Sequence, residues 1–185
     1  MMALDLPTAL EVCGKEYPIR YGWRPVLDIL IACADPELDN LGKAAVTLAI
    51  LYPGFSEMPT EHYTEALEKA CSFIDCGQQK EEKTKPRMID WQQDAPIIIP
   101  EINRVAGREI RLEPDIHWWT VFGWFLGIGN GTLANVLHIR RKRQKGQKLS
   151  KWEEEYYREN KALCDLRKPE TEEDKQMKAY FDKWL

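Results

Sequence analysis

Asp115-Ile116-His117-Trp118-Trp119-Thr120-Val121-Phe122-Gly123-Trp124-Phe125-Leu126 is the stretch on which the fold turns. At 3.6 residues per turn its large side chains spread round the whole cylinder. Trp118, Phe122 and Phe125 fall on one line, Trp119 and Leu126 on a second, and Val121, Trp124 and Ile128 on a third. A helix that is apolar on every side is expected in an interior. The run is about a dozen residues long, and a membrane span needs roughly 20, so burial within protein is the expectation.

Downstream, Gly127-Ile128-Gly129-Asn130-Gly131-Thr132 has the outline of a phosphate-cradling loop. Such a loop follows a strand and, in the P-loop, ends in a lysine. Here an aromatic helix precedes it and the lysine is missing, so it reads as a helix-to-helix turn whose glycines supply positive φ and whose Thr132 caps the next helix. That helix carries Leu133, Val136, Leu137 and Arg140 on one side before a basic run leaves the core. Ser150-Lys151-Trp152-Glu153 is a capping box, and Trp152, Tyr156 and Leu163 continue one stripe after it. Thr171 is placed to cap a last helix containing Phe181 and Trp184.

Upstream, Leu10-Glu11-Val12-Cys13 and Glu16-Tyr17-Pro18-Ile19 alternate around Gly14-Lys15, which suits a hairpin with Gly at the first position of a type II′ turn. Pro18 lacks a donor and belongs on an edge. From Trp23 the spacing becomes helical: Val26, Leu27, Leu30 and Ile31, then, beyond Asp35-Pro36-Glu37, Leu41, Ala44, Ala45, Leu48, Leu51 and Tyr52. Pro59-Thr60-Glu61 offers an N-cap for a stripe of Tyr63, Ala66, Leu67, Ala70 and Ile74 that Gly77 stops. Asp90-Trp91-Gln92-Gln93 resembles a helix start, and Pro96 and Pro100 predict two short helices or one kinked helix after it.

The sequence thus predicts a mainly α protein: one helical bundle domain over 1–185 with a short N-terminal β-hairpin (8–22), a helical part (23–77), a polar loop (78–86), and a second helical part (87–185) carrying a basic segment at 140–148. A chain of this length buries roughly 70% of its unfolded surface, enough for a self-sufficient core. The five cysteines are odd in number and scattered, and the N-terminus lacks a cationic start and apolar run, so reduced thiols in a cytoplasm are the simple expectation.

Reactive chemistry finds little support in the sequence. Cys71 and Cys76 make one pair where a zinc site wants two, and His62 and His138 stand alone, so no metal or other cofactor is expected. His117 lies beside Asp115 and Glu113, but adjacent helical residues do not face one another and no nucleophile completes a set. It reads as a structural residue at a helix start.

Residues 140–148 hold six Lys or Arg; with a whole-chain net charge of −4, the other 176 residues therefore carry −10. The run suits a solvated helix end, a surface for an acidic protein partner, or a nucleic-acid contact, although the interleaved aromatics of single-strand binders are absent from it.

Several of these features together resemble a known family. Gly14-Lys15-Glu16-Tyr17-Pro18-Ile19-Arg20 running into Trp23-Arg24-Pro25-Val26-Leu27, the helix end Phe73-Ile74-Asp75-Cys76-Gly77, and Asp115-Ile116-His117-Trp118-Trp119 with Ile139-Arg140 downstream resemble the phage "gene product fifteen" family over most of residues 8–166. Gly22-Trp23-Arg24 stands where that family typically has Asp-Phe-Arg, and Pro96 and Pro100 interrupt what is a plain helix in relatives. The resemblance implies a small protein of the tail region of long-tailed phages and prophages, without catalytic residues. It implies a tail assembly chaperone that holds the tape measure protein soluble and recruits tube subunits, working in the host bacterial cytoplasm.

The residues themselves offer partner-binding candidates: Trp118, Trp119, Trp152 and Tyr156 as apolar grips for a partner helix, with Arg140, Arg141 and Arg143 steering acidic segments towards them. Other readings are a structural component of the tail or its connector, and a nucleic-acid-binding protein acting through 140–148.

Overall fold

Two four-residue strands open the chain. β1 (Ala9–Val12) and β2 (Lys15–Pro18) pair antiparallel, with Ala9 opposite Pro18 and Val12 opposite Lys15. The computed structural model describes residues 5–78, 87–113, 115–167 and 180. The hairpin register puts the two-residue turn on Cys13 and Gly14, at φ 50° and 72°, which makes it type I′ and not the expected type II′ turn centred one residue later. The carboxylate of Glu65 supplies the reason: its Oε2 accepts from both the backbone N–H and the thiol of Cys13, each at 3.1 Å, and holds that residue in the left-handed region. Leu10, Val12 and Tyr17 point into the core.

α1 (Trp23–Ala34) starts where the hairpin ends, and its first turn is tied to the aromatic stretch. Trp23 N–H donates to Ile116 O at 3.0 Å and Trp118 N–H donates to Tyr21 O at 2.8 Å. Its most buried side chains include Val26 and Ile29, while Leu27 and Leu30 are half-buried. α2 (Asn40–Leu51) is capped by Asp39, whose carboxylate accepts from Gly42 N–H at 2.7 Å. Leu41, expected on its buried stripe, is 78% exposed. Thr47 takes an interior place instead, its hydroxyl satisfied by Lys43 O at 2.8 Å. α3 (Tyr63–Ile74) is entered through a 3₁₀ turn at Thr60–His62 without the expected Thr60 side-chain cap. It closes at Gly77, φ 71°, whose N–H reaches back to Ser72 O at 2.8 Å.

α4 (Ala95–Ala106) is one helix despite its prolines. Pro96 sits in the first turn, where a missing N–H costs nothing, and Pro100 lies inside. The anticipated helix start at 90–93 is a turn: Asp90 Oδ1 accepts from the N–H groups of Gln92 and Gln93 at 2.9 and 3.0 Å. α5 (Trp118–Leu126), α6 (Thr132–Gln144), α7 (Lys151–Glu159) and the single turn α8 (Lys161–Cys164) follow, and 3₁₀ turns lie at Phe55–Glu57 and Ile110–Leu112. The capping box is present, with Ser150 N–H to Glu153 Oε2 at 2.6 Å and Glu153 N–H to Ser150 Oγ at 3.4 Å. The expected last helix from Thr171 and nearly all of the 78–86 loop lie outside the described residues.

α5 departs from the all-round burial that its composition suggests. Trp118 and Val121 are buried; Trp119, Phe122, Trp124 and Phe125 are half-buried; Gly123 and Leu126 are exposed. α1 and α4 pack against it and leave one side open. The turn from α5 to α6 is helix-to-helix as read, but its glycines do not use positive φ. Gly131, extended at φ 174°, is itself the cap position, and a Cβ there would collide with the Glu101 carboxylate.

The core has two parts. The larger joins the hairpin, α1 to α5 and Leu133; the smaller gathers Val136, Ile139 and Cys164 with Tyr156, Tyr157 and Leu163, and Ile97 packs against both. No helix among the described residues is long and apolar enough to cross a membrane.

Candidate functional site: two aromatic faces and the ion-pair node between them

The start of α5 is fixed by an imidazole. His117 Nδ1 accepts from Trp119 N–H at 3.1 Å, so the ring hydrogen sits on Nε2, which donates to Pro7 O at 3.0 Å. Burial pushes this histidine below its ordinary pKa, and the ring stacks on Tyr21 with centroids 5.3 Å apart. Both nitrogens are committed, so His117 is a helix cap and does not present a lone pair to a substrate. Glu113 pairs with Arg108 at 3.0 Å, away from it.

Trp118 and Trp119 both fasten α5 to the end of α3. The Trp118 indole N–H donates to Ile74 O and that of Trp119 to Phe73 O, each at 2.8 Å. Trp118 is 2% exposed, so it contributes packing and no docking surface. Next to it Trp23, Leu27, Trp91, Ile98 and Phe125 enclose an apolar cavity of about 30 Å³. What α5 offers outward is the ridge Trp119, Phe122 and Leu126 with the open Gly123 notch beside it.

Half of the basic segment's cations pair within the fold, and one of them, Arg140, is buried. Arg140, at 6% exposure, donates to Asp94 Oδ2 at 2.6 Å and Oδ1 at 2.8 Å, to Met88 O at 2.9 Å, to Leu163 O at 2.6 Å and to Cys164 O at 3.1 Å. All five guanidinium hydrogens are taken. Asp94 is fully buried and also accepts from Asp90 N–H at 2.9 Å. Lys142 reaches Glu153 at 2.7 and 2.8 Å, and Arg143 pairs with Asp165 while lying 4.2 Å over the Tyr157 ring. Arg141, Lys145 and Lys148 remain exposed. Arg140 therefore cannot steer a partner, and Arg143 is partly occupied.

Glu153 receives Lys142, the Ser150 backbone and His138 (2.7 Å), and these hold its carboxyl down to about 2. A carboxyl depressed in the fold stabilises above the unfolded value near pH 4.5 and loses that contribution as pH falls towards 2. The urea midpoint should therefore fall on acidification from about pH 5 to about pH 3. Glu153→Gln should lower the midpoint at neutral pH and flatten that acid slope.

On α7, Trp152 is 55% exposed and tilts against Tyr156 with ring centroids 5.5 Å apart, Tyr156 itself being half-buried in the smaller core. The structure does not bring the α5 and α7 aromatics together; α6 stands between the two parts of the core. Sequence reasoning missed Asp94 and Glu153 as hubs. Asp94 had a signal in its position, an acid directly ahead of an apolar helix whose first turn contains a proline. Among the described residues no group of three or more His, Cys, Asp and Glu is placed to hold a metal ion.

A protein-family model described as "Bacteriophage Gp15 protein" matches residues 2–166. No curated protein and no solved structure matches the chain.

Proposed function

The chain belongs to the bacteriophage Gp15 protein family, and from that membership we propose that it is a tail assembly chaperone, binding the tape measure protein and tube subunits in the host cytoplasm before or during tube polymerisation. Phage membership sets the context; the observation that carries the chaperone role is the pair of partly exposed aromatic faces. Leu126 and Trp152 are more than half exposed, with half-buried Trp119 and Phe122 beside the one and Tyr156 beside the other, apolar surface of the kind that receives one face of an amphipathic helix. The protein acts by binding, and nothing in this reading asks for chemistry from it. The nucleic-acid alternative loses ground because Arg140 is buried against Asp94, and Lys142 and Arg143 pair with Glu153 and Asp165.

Co-expression with the tape measure protein of the same phage tests the role. Tape measure protein should be recovered soluble with this chain present and move to the pellet when the gene is deleted; equal solubility in both would remove the proposal. Mass spectrometry of purified virions separates chaperone from tail component, since a chaperone should be missing from the particle.

A further inference from the structure

One imidazole ties the segment ahead of the hairpin to α1, α3 and α5. The backbone of His117 bridges that of Gly22 just before α1, its Nδ1 accepts from Trp119 N–H in the first turn of α5, and its Nε2 donates to Pro7 O. Tyr21 stacks on the ring, and Phe73 of α3 stands T-shaped to it with centroids 5.7 Å apart. The two bonds respond differently to a second ring proton. Donation from Nε2 survives it, whereas a protonated Nδ1 has no lone pair and would set two N–H donors against each other. Nothing in the slot compensates the new charge. Tyr21 is the ionisable side chain in contact with the ring, and a phenol is neutral in acid. Asp5 and Asp115 are exposed, Glu113 pairs with Arg108, α3 presents Phe73, and no described carboxylate is hydrogen-bonded to the imidazole. A buried imidazolium without a counter-charge is driven towards water.

We propose that His117 is an acid-released clasp: a proton on Nδ1 ejects the ring, uncaps α5 at Trp119 and frees the chain ahead of Thr8, while the hairpin and the body of α5 stay in place. The release is local because other bonds hold the neighbours. Ile19 N–H still donates to Thr8 O at 3.0 Å, and the indoles of Trp118 and Trp119 still bind Ile74 O and Phe73 O. What changes is a pair of linked surfaces. The freed segment carries Leu6, 53% exposed, and the uncapped turn carries Trp119 of the α5 ridge, so both respond to the same proton. Burial holds this histidine below its ordinary 6.5, so an unfolded chain takes the proton first. The contribution to stability is therefore complete above pH 6.5 and is lost as pH falls below it, ahead of the loss at Glu153.

NMR on the full chain tests it, following the three histidine rings and the backbone amides as pH is lowered from about 7.5 to about 4.5. The His117 ring should take up its proton below pH 6.5, and across that same step the protection of the Trp119 amide against exchange should fall about tenfold. The Leu6 resonance should move with the same midpoint, while the amides of α3 keep their protection. His117→Asn carries an Oδ1 that caps in place of Nδ1 and takes no proton in this range, so its Trp119 amide should stay protected throughout. Three results overturn the proposal: a Trp119 amide still protected after His117 is charged, the same acid step in the Asn variant, or a His117 ring that is protonated only as the whole chain unfolds. Should the Asn variant fail to fold, the coincidence of the His117, Trp119 and Leu6 midpoints in the unsubstituted chain decides.

Discussion

Arg140→Met should destabilise the protein by about 3–5 kcal/mol, read as a drop in the urea midpoint. The size follows from what stays behind. Asp94 is fully buried and receives both guanidinium arms, so methionine leaves a carboxylate in the interior with only the Asp90 N–H. The carbonyls of Met88, Leu163 and Cys164 lose their donor at the same time. A loss on that scale is a large part of the 5–15 kcal/mol by which domains are ordinarily stable. The control is the double variant Arg140→Met/Asp94→Leu. Removing both charges should recover much of the loss, because well-packed apolar groups replace a buried ion pair at little cost. A single variant within about 0.5 kcal/mol of the parent would show that the pair does not organise this interior.

Trp118→Ala should cost about 3–5 kcal/mol by loss of buried indole surface and the space left behind. The site cannot collapse easily, because an apolar cavity of about 30 Å³ already adjoins Trp118 and the void would enlarge it. The indole N–H bond to Ile74 O goes as well, freeing the carbonyl that ties the end of α3 to α5. Trp118→Phe divides these contributions, keeping most of the ring and removing the donor, and should fall about 1–2 kcal/mol below the parent. Trp152→Ala, at an exposed position, should change stability by no more than about 0.5 kcal/mol. Comparing the three midpoints separates the interior tryptophan from the surface one.

The helical nature of the chain and its hairpin were legible because they rest on local periodicity: the spacing after Trp23, the stripe stopped by Gly77 and the capping box at Ser150 all appear where they were read. Errors arose where a distant residue decided the matter. The turn at Cys13 and Gly14 changed type because Glu65, 52 positions away, holds Cys13. Gly131 lies extended beside the Glu101 carboxylate, 30 positions away, and does not use the positive φ expected of it. Leu41 looked interior on spacing alone, but no described element packs over it and it is 78% exposed. What the sequence could not show was the set of partners within the chain that engage the basic run. Charge segregation at 140–148 is real in the sequence, yet Asp94, Glu153 and Asp165 take up Arg140, Lys142 and Arg143 through contacts spanning 11 to 46 residues. No reading of local pattern could count those cations as spent.

The acceptors of Arg140 also impose an order of events during synthesis. Two of them, the carbonyls of Leu163 and Cys164, belong to the final described turn of helix, more than twenty residues beyond the guanidinium they satisfy. A nascent chain that has delivered α6 but not yet α8 carries an arginine with nowhere dry to go, so its smaller core must stay hydrated until that turn leaves the ribosome.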